Sequence, residues 1–349
     1  MKLGLSLGVW GAEPPTGTLD RVLEAERLGY DTVFTSENYG SDAYTPLSWW
    51  GGRTSSIRLG TSIIPIAART PTATAMAAMT LDHLSQGRHV LGLGASGPGV
   101  VEGWFGVPFD KPLTRTRAYV DVIRQVLSRT DAVVHHGEHY QIPYENPRSP
   151  EAAKPLKSIV HPYRADLPIW LGAEGPKNVA LCGEIADGWL PMFFAPRAAA
   201  MYRSWLNEGF TKRTAPMPAG GFEIASSCRV VVTGDQPAAH RLLDSLRPNV
   251  GFYIGGMGTR EVNFHRDLFS RMGYEPEVEK IKDLFFEGRR DDAYAAVPIE
   301  MVADISLIGT REMIRDGLAR WEEAGVTMLV VSPTDDDQLR QIADVVLNR

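Results

Sequence analysis

The stretch Arg88–Gly106, RHVLGLGASGPGVVEGWFG, decides how the whole chain is read. Gly92, Gly94 and Gly97 follow a short apolar run and spell G-x-G-x-x-G. After a strand, that spacing is the dinucleotide fingerprint. It also requires a helix that opens at once, and an acidic residue about 20 residues on at the end of the next strand. Neither is expected here. The residues that follow, GPGVVEGWFGVPFDKP, bring further glycines and prolines before any helical pattern. Asp121 lies near the required distance, but within AYVDVIRQVL, whose periodicity is helical, so its carboxylate belongs to a helix face. No G-K-[ST] follows, which excludes a P-loop. The glycines then read as the turn at the C-terminal end of a barrel strand, where backbone N–H groups can approach a ligand. A long connection needing positive φ at several positions is the plainer alternative.

The same alternation of short apolar runs and amphipathic stretches extends in both directions. Strand candidates lie near residues 3, 32, 58, 89, 168, 188, 224 and 326. Their continuous Val/Ile/Leu character predicts strands covered on both faces, as in a parallel sheet. Helical patterns separate nearly all of them: TLDRVLEAERLG, TPLSWWGGRT, PTATAMAAMTLDHLS with Pro71 near its start, TRTRAYVDVIRQVLS, PKNVALCGEIA, PRAAAMYRSWLNEGF, TREMIRDGLARWEEAG and DDQLRQIADVVLN. EIASSCRVVVT, Glu223–Thr233, reads as one strand. Two segments break the rhythm. Residues 130–165 read as an inserted loop with short hairpin strands, and 237–300 as an inserted helical region. The fold class expected is α/β, a (β/α)8 TIM barrel with insertions, forming one domain over 1–349. Two doubly wound domains split near 130–165 are the competing architecture.

Bulk properties narrow the function classes. A chain of 349 residues with 44% hydrophobic and 22% charged residues builds a large core without staples. The formal charge of −6 and the absence of a basic run argue against a nucleic-acid surface. Cys182 and Cys228 stand in no metal-ligand or C-x-x-C spacing and read as packing residues of a reduced, cytoplasmic protein. The N-terminal apolar run is too short and broken for a signal peptide, and no segment is long enough to span a bilayer. No metal site is expected. His135, His136 and His139 have H-H-x-x-H spacing but sit in a loop without a carboxylate on a shared helix face. His83 reads as a surface or packing residue, and His265 as a packing or oligomer contact. No G-x-S-x-G elbow supports hydrolysis.

Five blocks carry a resemblance: TSENYGSDAYTPLSWWGGRT, LGTSIIPIAARTPTATAMAAMTLDHLSQGR, LGLGASGPGVVEGWFGVPF, WLGAEGPKNVALCGEIADGWLP and GFYIGGMGTREVNFHRDLFSRMGYE. In this order they resemble the bacterial-luciferase-like superfamily almost end to end. More narrowly, they resemble its coenzyme F420-dependent oxidoreductase branch, which includes methylenetetrahydromethanopterin reductase. The resemblance implies a luciferase-like (β/α)8 barrel with the deazaflavin at the C-terminal ends of the strands. It implies that the ring lies over a bulge made by a non-prolyl cis peptide, here Ser62–Ile63. Glu37 matches a position where relatives carry Asp or Glu near the ring, and Asn38 stands where some have His. Gly172, Ala173, Glu174, Gly175 and Pro176 match a loop that meets the cofactor phosphate, with Glu174 expected to point outward. Gly94, Ala95, Ser96 and Gly97 are expected to line the same pocket.

The implied reaction is hydride transfer between F420 and a small organic molecule with a C=N, C=C or C=O group. Glu37 is the candidate for proton handling, or else it bonds the ring or fixes the loop. Trp10, with Trp49 or Trp50, is the candidate stacking wall over the substrate. Two other readings stay open: an FMN-dependent luciferase-like monooxygenase, and a flavin- or deazaflavin-binding protein without catalysis. A homodimer follows from family habit, with VNFHRDLFSRMG as its candidate interface.

Overall fold

A computed structural model of the chain describes residues 1–13, 15–145, 147–148 and 153–348. Eight parallel strands close on themselves: β1 Lys2–Ser6, β2 Thr32–Thr35, β3 Arg58–Thr61, β4 His89–Gly94, β5 Ile169–Gly172, β6 Gly188–Leu190, β7 Glu223–Ser227 and β8 Met328–Val331. Each pairs with the next, and β8 pairs with β1 through Leu3↔Leu329 and Leu5↔Val331. The eight coincide with the strand candidates of the sequence. Residues Ile64–Pro65 resume the path of β3 and pair with Leu93 and Gly94 of β4.

The interior holds Phe34, Val90, Trp170, Leu190, Ala225, Met328 and Val330, with Ile63 packed on them. Glycines make room for the two large rings. A Cβ at Gly60 would come within 2.4 Å of the Phe34 ring, and one at Gly188 within 2.6 Å of the Trp170 ring. A second, larger cluster lies between the barrel wall and the outer helices α1 Thr18–Arg27, α2 Tyr44–Gly51, α3 Pro71–Leu84, α4 Pro112–Ser128, α5 Pro176–Ile185, α6 Ala199–Phe210, α7 Arg311–Glu323 and α8 Asp336–Leu347. Local chemistry sets several helix starts. Thr70, Thr310 and Asp335 each accept a hydrogen bond from the amide three residues on, satisfying a donor that the first turn leaves open.

The structure departs from the sequence reading at three places. The run Glu223–Thr233 is two strands: β7 ends at Ser227, and Arg229–Val232 leaves the barrel to pair with Ser306–Gly309. The latter strand was not expected, because its four residues form too short a run to stand out between helices. A one-turn helix, Pro98–Val101, does open directly after Gly97. It does not restore the dinucleotide reading, since β4 is a strand of a closed barrel and Asp121 lies inside α4. Between Pro237 and Val297, where the pattern suggests three helical pieces, the chain is helical at Gln236–Gly256, Phe264–Phe269, Glu275–Phe286 and Arg290–Ala295.

The 130–165 segment carries the expected hairpin, His135–His136 against Gln141–Ile142; residues 146 and 149–152 of it lie outside the described residues. Among the described residues no helix is long and apolar enough to cross a membrane. No group of three or more His, Cys, Asp or Glu among them is placed to hold a metal ion.

Candidate active site

Barrel enzymes carry their chemistry where the strands end, and here that face is built from the loops after β1 to β6. Ser62–Ile63 is a cis peptide at the end of β3. Its position is fixed from β2: Ser62 N donates to Thr35 O at 2.7 Å, Ser36 Oγ donates to Ser62 O at 2.5 Å, and Glu37 N donates to Ile63 O at 3.1 Å. The side chain of Ile63 fills the space above two glycines. A Cβ at Gly94 would sit 2.8 Å from Ile63 Cδ1, and one at Gly172 would sit 3.1 Å from Ile63 Cγ2.

The glycines of Arg88–Gly106 therefore divide by purpose. A Cβ at Gly92 would lie 1.8 Å from the carbonyl oxygen of Thr61, so this glycine admits the neighbouring strand rather than a ligand. Gly94 admits Ile63. Gly97 has nothing within 4 Å of a Cβ, and Ser96 before it takes a left-handed φ of +60°. Gly97 shares this openness with Gly99 and Gly106 further along the stretch.

The loop after β5 has the same openness. Gly175 caps α5 with an extended conformation, Pro176 takes the first helical position, and a Cβ at Gly175 would meet nothing within 4 Å. Asn178 N and Val179 N donate to Gly175 O. Ala173 is buried, and its carbonyl accepts from Trp189 Nε1 at 2.7 Å. The N-terminus of a ten-residue helix behind an unobstructed glycine suits an anionic group.

Glu174 does not point outward as the sequence reading expected. Its Oε2 lies 2.6 Å from His265 Nδ1, and both side chains are largely buried. The two atoms are within ion-pair reach but are not aligned as a hydrogen bond, so Glu174 Oε1, Glu174 Oε2 and His265 Nδ1 are enclosed without a well-directed partner. His265 lies edge-on to Phe193 and Tyr253, at 5.6 Å and 5.0 Å between ring centroids. Burial, then the charge of Glu174, then Tyr39 push the Tyr253 phenol above its ordinary range. This places Tyr253 beside both Glu174 and the loop after β2.

Glu37 lies two residues past the end of β2 with its carboxylate nearly enclosed. Arg69 Nη1 donates to both of its oxygens at 2.8 Å, and Ala43 N donates to Oε2 at 3.1 Å. Arg69 escaped the sequence reading because its pairing with Glu37, 32 residues away, is not encoded in any spacing. Trp10 is at the same face: its amide donates to Ser41 Oγ, and its carbonyl lies 3.2 Å from where a Gly40 Cβ would stand. Trp49 is not brought to this group. It lies on the exposed face of α2 with the Arg53 guanidinium 3.6 Å from its ring centroid, while Trp50 is core. The segment expected at a dimer interface spends its apolar face internally, with Leu268, Phe269 and Met272 buried and Phe264 exposed. His83 is exposed on α3 beside His161 O, and His135, His136 and His139 pair with Asp121, Gln141 and Thr114.

A cavity of about 210 Å³ lies elsewhere, under α6 and toward the starts of β7 and β8, walled by Trp189, Phe194, Leu206, Phe222 and Ile224. It is remote from the strand ends, and the loop geometry above is the better guide to the site.

A family model for luciferase-like monooxygenases matches residues 4–328. A Mycobacterium tuberculosis protein with the provisional name coenzyme F420-dependent oxidoreductase is 53% identical over 346 residues, covering 99% of each chain. The 5,10-methylenetetrahydromethanopterin reductase of Archaeoglobus fulgidus is 27% identical over 320 residues, 91% of this chain and 90% of its own. Among solved structures, the coenzyme F420-dependent tetrahydromethanopterin reductase of Methanopyrus kandleri superposes with a TM-score of 0.77 at 22% identity. That match covers 99% of this chain and 98% of the other.

Proposed function

The chain belongs to the luciferase-like monooxygenase family and, within it, to the F420-dependent oxidoreductases; on that premise we propose that it transfers a hydride between coenzyme F420 and a small organic substrate bearing a C=N, C=C or C=O group. The observation that carries this reading is the near full-length similarity to the F420-dependent relative. Bound F420 would supply two-electron hydride chemistry, leaving binding, orientation and proton management to the protein. The residues present fit such a group. The Ser62–Ile63 bulge, held from Thr35 and Ser36, would back one face of the ring. The open ends of two loops, Ser96–Gly97 and Gly175–Pro176, have room for backbone contact with a phosphate. Glu37, tied to Arg69 and Ala43 N, suits anchoring the ring-side loop more than delivering a proton. Trp10, whose backbone is held by Ser41 at this end of the barrel, would help keep water from the reacting carbon.

The second reading, an FMN-dependent monooxygenase, draws its support from the family's own description. Binding separates the two. Fluorescence titration with F420 and with FMN should give tight binding of F420 alone. Micromolar binding of FMN without binding of F420 would overturn the hydride-transfer reading. A screen for oxidation of reduced F420 against imines, enones, ketones and methylene-pterins then identifies the substrate class.

A further inference from the structure

We propose that His265 is the proton donor and acceptor on the substrate side of the reaction, with Glu174 as its positioning residue; this rests on the hydride-transfer reading above. The two come from distant parts of the chain, the loop after β5 and the helix Phe264–Phe269. They meet above the strand ends with Nδ1 and Oε2 2.6 Å apart. A buried carboxylate with no aligned donor is costly, and native structures keep such groups for a reason. The imidazole has two distinct nitrogens. Nδ1 is enclosed against Glu174, whereas Nε2 is not among the enclosed atoms and has no protein hydrogen-bond partner among the described residues. A carboxylate on Nδ1 fixes the tautomer and steadies the imidazolium, leaving Nε2 to exchange a proton with a reacting atom. Phe193 and Tyr253 clamp the ring edge-on from two further elements, which fixes its direction.

The step balances without another reactant. The substrate carbon receives the hydride and its electron pair. The C=O or C=N π pair moves to the oxygen or nitrogen, and that atom takes the proton from His265 Nε2 as the N–H bond breaks. The imidazole is left neutral with its proton on Nδ1, facing Glu174. In the oxidative direction the neutral ring takes the hydroxyl or amine proton. The other groups that face the pair are the phenols of Tyr253 and Tyr202, with Tyr39 acting on Tyr253, and Arg266 and Asp267 adjoin it on its own helix. Burial first, and then the Glu174 charge, raise Tyr253 and Tyr202, so neither titrates where histidine does.

The test uses the full chain with F420. Protein labelled with 15N-histidine is compared with and without saturating oxidised F420, as wild type, Glu174→Gln and His265→Asn. We expect His265 to hold its proton on Nδ1, its Nε2 resonance to move on F420 binding, and Glu174→Gln to mix the tautomers. On the fastest carbonyl or imine of the panel, His265→Asn should lower kcat by about 100-fold or more with F420 affinity unchanged. It should also remove one limb of the kcat–pH profile, which a merely structural role would not move. An Nε2 resonance indifferent to bound F420, or a His265→Asn variant with wild-type kcat and pH profile, overturns the proposal while the cofactor reading stands. Wild-type protein that binds no F420 removes both. If no panel compound is turned over, the resonance experiment decides alone.

Discussion

The two ends of the barrel are built on opposite principles. At the strand starts Lys2, Asp31, Arg58 and Glu223 pair with one another. Arg58 Nε donates to Asp31 at 2.7 Å and Nη1 donates to Glu223 at 2.9 Å; Lys2 adds a contact to Glu223 at 3.1 Å. The Arg58 guanidinium also lies 5.3 Å from the Trp170 ring, so the network plugs the barrel interior from below. Burial works against that charge, yet Asp31 and Glu223 more than offset it and hold the guanidinium above its ordinary value. At the strand ends, Glu174 and His265 are enclosed without aligned partners, and glycine loops stand open. The ion pairs stabilise the one end, where His89 Nε2 at the start of β4 is an enclosed polar atom left without a partner among the described residues. The other leaves polar groups unsatisfied, as a site that must accept a ligand does.

The contrast breaks most visibly at the glycines. Gly92→Ala should cost about 3 kcal/mol or more, because its Cβ would meet the Thr61 carbonyl at 1.8 Å and a strand must move. Gly97→Ala should stay within about 0.5 kcal/mol, because its Cβ enters open space at a φ of −129°. Urea midpoints measure both, and similar losses would show that the two glycines serve one purpose.

The charges give the next largest effect. Arg58→Met should cost about 2–3 kcal/mol, less than a fully buried pair because water reaches this network. Glu174→Gln should change stability by less than about 1 kcal/mol, since no well-made bond is lost. Equal losses in thermal or urea unfolding would erase the distinction between the ends.

A pH series sharpens the same point from the barrel wall. Burial pushes the fully enclosed His89 down from 6.5 to about 4, with Leu59 O, Asp82 and Arg164 around it. The folded state thus binds fewer protons than the unfolded state between those values. Its contribution, of order 3 kcal/mol, is complete above pH 6.5 and is lost as pH falls toward 4. His89→Asn should flatten that part of the stability–pH curve, and an unchanged slope would assign it to other groups.

Much of the scaffold is legible in the sequence for a physical reason. Strands covered on both faces must be apolar throughout, so VLGLG, IWLG and MLVV announce themselves. The short Ser306–Gly309 strand and the break at Cys228 are not legible, because pairing outside the barrel depends on where the chain re-enters. At the site, Glu37 and the Ser62–Ile63 bond stand within recognisable motifs. Glu174 facing His265 is a long-range meeting that no spacing encodes. The G-x-G-x-x-G run is the sharpest case: its spacing is visible, yet two of its glycines answer to Thr61 and Ile63, residues of another strand.

The pairing of Arg229–Val232 with Ser306–Gly309 has one further consequence. The helical excursion leaves along one strand and returns along its parallel neighbour, so its two feet are anchored at opposite ends of one four-residue ladder whatever lies between. Closing a longer or shorter excursion over fixed feet changes the chain entropy only slowly with length. The helices that bring His265 to Glu174 are therefore an exchangeable head on a constant base. New substrate preferences can be tried there by replacing the head, while α7, β8 and the plug beneath keep their places.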